Sequence, residues 1–203
     1  MGKTESREKE EPLSFEAIKE FYMQDAKELP ALYELENPCT EQIAKSAKWI
    51  FRPNIIESWW EMTAEERWER AKLLAKTFNY WNGTNASILL MSYGMTDDDS
   101  WGLYHPNKNQ VYVDDYLLED PLWFGYLVNT ISHEMEHAYQ QAALEDPETY
   151  NIQVMTAKRW KWNADNYVCS ERDYWKYCCQ PLERDADNMA NFITQMVLGE
   201  EDK

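Results

Sequence analysis

The run from Asp120 to Pro147 constrains this chain more than any other segment. Phe124, Leu127, Val128, Ile131, Met135, Ala138 and Ala142 recur at helical spacing. Asp120-Pro121 supplies an N-cap and then a proline in the first turn, where a missing N–H leaves no hydrogen bond unmade. Pro147 lies just beyond the last apolar position. The spacing predicts one long helix from about 120 to Leu144. A helix with so wide an apolar stripe must be covered by other elements, so the rest of the domain is organised around it.

The flanking segments supply those elements. Phe15, Ile18, Phe21 and Tyr22 predict a helix over about 13–29, behind a charged tail at 1–12. A second helix is predicted over about Thr40–Ile50, before Pro53. Thr63-Ala64-Glu65-Glu66 is a capping box that opens a third, which runs to Asn82-Gly83. The pattern then changes. Ala86–Met91 suits a short buried strand. Asp97-Asp98-Asp99 reads as a loop. Trp101–His105 and Gln110–Val113 flank a turn at Pro106-Asn107-Lys108-Asn109 and predict a β-hairpin. Beyond the long helix, helical spacing recurs over about 148–167, again near 171–177, and finally from Pro181 through Val197. The order of elements predicts an α+β domain over 13–199, with a helical part at 13–82 and a mixed part at 83–199.

Composition excludes several classes of function. The formal net charge of −17 repels phosphate backbones, and no basic stripe offsets it, so nucleic acid is not an expected partner. Most of these carboxylates are expected on solvated helix faces. No GxGxxG or GxxxxGK[ST] phosphate loop occurs among the six glycines. No apolar run approaches a membrane span. Cys39, Cys169, Cys178 and Cys179 match no zinc-ribbon spacing, and the N-terminus is charged rather than apolar, so reduced thiols in a cytoplasmic protein are expected. The aromatics Trp59-Trp60 and Trp160-Lys161-Trp162 are expected to serve mainly in the core.

The chemistry sits within the long helix, in His133-Glu134-Met135-Glu136-His137. A step of four residues rotates about 40° and rises about 6 Å, so both imidazoles leave one face. Two nitrogens can then reach one Zn²⁺ at about 2.0–2.1 Å. Glu134 is offset by about 100°, which sets it beside the metal as a proton acceptor rather than a ligand. A catalytic zinc needs a third protein ligand. The best candidate is Glu183 in Pro181-Leu182-Glu183-Arg184-Asp185-Ala186-Asp187. Asp187 lies four residues on and can orient a ligand histidine through its distal nitrogen.

Two stretches carry a family resemblance. Leu127 to Gln140 resembles the active-site helix of the zincin metallopeptidases, and Glu183-Arg184-Asp185-Ala186-Asp187 resembles the ExxxD element of their gluzincin branch. The similarity covers roughly Ser87 to Val197. It implies a zincin-like fold with a small sheet beside the active-site helix, zinc held by His133, His137 and Glu183, Glu134 as general base, and Asp187 behind a ligand. It implies hydrolysis of peptide bonds in a protein or peptide substrate. The alternative in another class is a zincin-fold binding or regulatory module that keeps the metal with little or no turnover.

Subsidiary expectations follow. Glu136, where many zincins have a small residue, is expected to face solvent or enter a salt bridge. The oxyanion donor is sought among His105, Tyr139, Tyr174 and Tyr177 by residue type. A substrate peptide is expected to add as a strand beside Gln110–Val113.

Overall fold

The computed structural model describes residues 35–92 and 100–199. The charged tail, the helix expected over 13–29 and the Asp97-Asp98-Asp99 loop lie outside the described residues. The described elements are α1 (Thr40–Ile50), α2 (Pro53–Glu57), α3 (Ala64–Asn82), β1 (Ser87–Met91), β2 (Gly102–His105), β3 (Gln110–Asp114), α4 (Phe124–Glu145), α5 (Val154–Asp165), α6 (Tyr174–Cys178) and α7 (Pro181–Leu198). This is an α+β arrangement of helices around one small sheet. No helix among the described residues is long and apolar enough to cross a membrane.

Local chemistry explains most boundaries. Thr63 and Glu66 form the reciprocal capping box that starts α3, and Gly83 ends it in the left-handed region at φ 66°. The Asn79 side chain then accepts from the Ala86 amide at 3.0 Å and donates to the Ala86 carbonyl at 2.8 Å. Those bonds fold the chain from α3 straight into β1. Asp120 accepts from the Leu122 amide at 2.9 Å and caps a single 3-10 turn, Pro121–Trp123, which leads into α4. Gln180 precedes Pro181, and α7 opens where the proline predicts.

Two boundaries differ from expectation. The segment predicted as helix from 148 becomes helical only at Val154. Asp146 caps a turn by accepting from the Thr149 amide, and Asn151 takes φ 50°, which ends that turn before a helix can propagate. The stretch expected near 171–177 contracts to α6, where Asp173 accepts from the Lys176 amide.

The sheet order is β1-β3-β2, with β1 parallel and β2 antiparallel to β3. Ser87 pairs with Gln110 and Met91 with Asp114 on one side, and Gly102 with Val113 and His105 with Gln110 on the other. Gln110–Val113 is therefore the central strand and has no edge for a peptide to join, which corrects the expectation. Among the described residues the strand with an open edge next to α4 is β2. The hairpin pattern identified both strands but could not show that β1 would occupy the far side of β3. That pairing is non-local.

The core fills the space between the sheet and the helices. Val111 and Val113 point inward from β3 against α4, while Phe51, Trp59 and Phe124 meet edge to face. Arg67 is buried but satisfied, donating to the carbonyls of Trp59, Leu118 and Glu119. Trp59 and Trp160 are core residues as expected, whereas Trp162 is 65% exposed. The most extensive helix pairing is α4 with α7. Ala138, Ala186 and Ala190 are buried there, and their small side chains let the two backbones approach closely. That approach carries the first turn of α7 to the histidines of α4.

Candidate metal centre

The site is built on rigid elements. His133 and His137 project from the middle of α4, and Glu183 from the first turn of α7. Their Nε2 atoms lie 3.0 Å apart. Glu183 Oε2 is 3.4 Å from His133 Nε2, and Glu183 Oε1 is 3.5 Å from His137 Nε2. One ligand atom from each of the three residues falls within 4.8 Å of the others. Glu183, distant in sequence, is brought to the histidines where the ExxxD spacing predicts it.

The groups behind the histidines determine which nitrogen faces the centre. Asp187 Oδ1 is 2.9 Å from His133 Nδ1. A carboxylate only accepts, so Nδ1 carries the proton and Nε2 is turned inward. The second histidine has a partner that the sequence reading missed. Gln140 Oε1 is 2.8 Å from His137 Nδ1, while Gln140 Nε2 donates to the Leu182 carbonyl at 3.0 Å. The bond to Leu182 fixes the amide orientation, so His137 Nδ1 must donate and its Nε2 also turns inward. Gln140 lies three residues after His137 on the same helix, a spacing that could have identified it.

These contacts test how well a cation fits. Two nitrogen lone pairs and a carboxylate converge on one point. Glu183 Oε2 is buried and accepts no hydrogen bond. A divalent cation would satisfy all three groups at once. Without an ion, protons must take its place. Burial by itself lowers the His133 pKa, but the hydrogen bond to Asp187 and the nearby Glu183 carboxylate outweigh it and raise the pKa well above the usual value. His137 is raised as well, because Glu183 overcomes its burial. Burial alone would raise Glu183, but the two histidines hold it far below the ordinary carboxylate range.

Glu134 is nearly buried beside this cluster. Its pKa is raised, by burial first, with the histidines and the Tyr104 amide opposing. The Tyr104 amide lies on β2, which runs close along α4. Gly102 makes that approach possible. A Cβ there would stand 2.5 Å from Thr130 Cγ2 and 2.8 Å from Glu134 Cγ. Gly102→Ala is therefore expected to push β2 off α4, at a cost of about 1–3 kcal/mol. The measurement is thermal unfolding, and an unchanged Tm would show that the strand shifts freely.

Two tyrosines close the other side. Tyr167 donates to Glu183 Oε1 at 2.6 Å, and Tyr177 also hydrogen-bonds to Glu183. Both phenols have raised pKa values, from burial first and then from the Glu183 charge, so both remain protonated donors. Tyr167 was not anticipated, because no motif surrounds it. The loop after α5 alone brings it in. Of the other donors considered, Tyr139 packs against Ala143, Ile152 and Trp160 in a second core cluster. Tyr174 is 64% exposed, and His105 ends β2 with a buried, unpaired Nδ1.

Two cavities flank the centre. One, of about 220 Å³, is lined by Gly102, Tyr104, Glu134, His137, Tyr167 and Tyr177 among others. The other, of about 400 Å³, is more apolar and is lined by Leu103, Pro106, Gln140, Leu144, Ala164 and Leu182 among others.

Glu136 does not behave as expected. It is 1% exposed and takes no part in a salt bridge among the described residues. Instead its Oε2 accepts from Asn37 Nδ2 at 2.8 Å, and Asn37 also reaches Asn82. Burial raises its pKa to about 8. The reason is rotational: Glu136 points off the face that His133 and His137 share, and here that direction is covered by the segment preceding α1.

Compared with known protein families, curated proteins and solved structures, the chain matches none.

The supporting hydrogen bonds yield a direct test of how the site is held. Asp187→Ala and Gln140→Leu each release one imidazole from its fixed orientation. Each is expected to weaken metal affinity about 10–100-fold, read by competition against a colorimetric chelator. Unchanged affinity in both would mean that the helix backbones alone hold the rings.

Proposed function

We propose that this protein is a zinc-dependent metallopeptidase of the zincin type, in its gluzincin branch. The observation that carries the reading is the convergence of His133 Nε2, His137 Nε2 and Glu183 on one point, with Glu134 beside them in the same cavity. A bound zinc supplies Lewis acidity towards a carbonyl and makes water acidic enough to give up a proton near neutral pH.

The chain's own residues perform the remaining steps. Glu134, raised in pKa by burial, takes the proton from the attacking water and passes it to the departing amine. The Tyr104 amide and the close contact at Gly102 keep its carboxylate aimed into the cavity. Tyr177 lines that cavity and stays protonated, so its single O–H can turn from Glu183 to the developing oxyanion. Tyr167 keeps Glu183 restrained. A peptide extended along the open edge of β2 presents its carbonyl towards His133 and His137. The four cysteines are free thiols, which suits a reducing, cytoplasmic setting.

Metal analysis decides the first half of this reading. The purified chain is expected to hold one zinc per molecule, and His133→Ala or Glu183→Ala should abolish the stoichiometric binding. Cleavage of a quenched fluorescent peptide library, inhibited by 1,10-phenanthroline and restored by zinc, decides the second. A chain that binds zinc stoichiometrically yet cleaves nothing would be a metal-containing binding module.

A further inference from the structure

The apolar cavity beside the candidate metal centre has a neighbour. Its wall at Leu144 is shared with a second groove of about 750 Å³, lined by Pro147, Ile152, Val154, Ala157, Lys161 and Trp162 among others. Both grooves lie between the C-terminal half of α4 and one side of α5. Ala157, Lys161 and Ala164 recur at helical spacing along that side, and they line first the distal groove and then the proximal one. From Ala157 to Ala164 the helix rises about 10 Å. An extended chain covers that distance in about three residues.

The surface of the distal groove is apolar. Val154 is 69% and Trp162 65% exposed, although the adjoining core had room for Trp160. Lys158 and Lys161 stand at the rim. A surface tryptophan in an open apolar groove is the kind of anchor found at binding hot spots. Because the groove adjoins, at Leu144, the cavity lined by His137, its natural occupant is the same molecule that enters that cavity.

We infer that the α4–α5 groove is a distal substrate-binding site that engages an apolar side chain of an extended polypeptide, about three residues beyond the one seated in the cavity next to His137. The substrate class is therefore an unfolded or flexible protein segment of several residues rather than a dipeptide or tripeptide. This inference rests on the peptidase reading for the identity of the occupant. The groove itself does not depend on turnover.

The test separates the two. Random-sequence peptide libraries of two and of sixteen residues are passed over immobilised, zinc-loaded Glu134→Gln protein, and the retained peptides are read by mass spectrometry. Sixteen-residue peptides with an apolar residue at a constant offset are expected to be retained. Trp162→Ala, an exposed and structurally tolerant change, is expected to weaken their retention about tenfold and leave two-residue peptides unaffected. Val154→Asp, also at the surface, should do the same. Equal retention by the parent and both variants, or no preference for the longer library, overturns the distal site. Retention that depends on Trp162, with no cleavage of the same peptides by the Glu134-containing protein, leaves the groove standing and overturns the peptidase reading instead.

Discussion

On the proposed metallopeptidase reading, replacing Glu134 by glutamine is expected to lower peptide cleavage by about 10²–10⁴-fold with zinc binding kept. The substitution is close to isosteric. It preserves the packing against Gly102 and an acceptor for the Tyr104 amide. What it removes is the ability to take a proton. Burial favours the neutral form of this side chain, so glutamine should fold at least as well as glutamate. On that reading zinc content should be unchanged, because the proposed ligand atoms belong to His133, His137 and Glu183. Cleavage within threefold of the parent would remove Glu134 from the mechanism. Loss of zinc would make Glu134 a ligand rather than a base.

The second large effect concerns the other glutamate of the motif and is expected in stability. Glu136→Gln should raise Tm, with a gain that widens as pH rises from about 4.5 to about 8. In the folded chain Glu136 holds its proton up to a pKa of about 8. Unfolded, it releases that proton near the ordinary glutamate value of about 4.3. Across the interval between these values the unfolded state binds fewer protons, so stability falls with rising pH at up to about 1.4 kcal/mol per pH unit. Below the interval both states are protonated and nothing is lost. Above it the loss is complete and constant.

Glutamine mimics the protonated acid and can still accept from Asn37, so it escapes the penalty. The expected gain at pH 8 is about 2–5 kcal/mol, or roughly 5–15 °C in Tm for a chain of this size. Scans of both proteins at pH 5 and pH 8 measure it. A gain independent of pH would mean that Glu136 is ionised in the folded chain, held by its bond to Asn37.

These two glutamates, two residues apart on one helix, show how much of the site the sequence reveals. The periodicity of the long helix, with Asp120 and Pro121 ahead of it, already settles that His133, Glu134 and His137 lie on a common side. Local geometry alone is enough for that. ExxxD spacing at the start of a proline-initiated helix singles out Glu183 and Asp187. Capping chemistry at Thr63, Asp120 and Pro181 marks the element starts that the structure has. All of these are short-range properties, written in neighbouring residues.

Long-range pairing decided the rest. Glu136 is buried because a segment nearly a hundred residues earlier brings Asn37 to it, and no local pattern records that meeting. Tyr167 reaches Glu183 through the path of a loop. The strand beside the site is β2 rather than Gln110–Val113, because β1 pairs with β3 across an intervening strand. The sequence by itself determined the motif from His133 to His137 and the face it occupies. Tertiary structure decided that Glu134 is enclosed beside Gly102, that Glu136 is sealed away from water, and which groups orient each imidazole. The physical reason is that a helix fixes directions over one or two turns, whereas burial and hydrogen-bond partners depend on which distant surfaces pack against it.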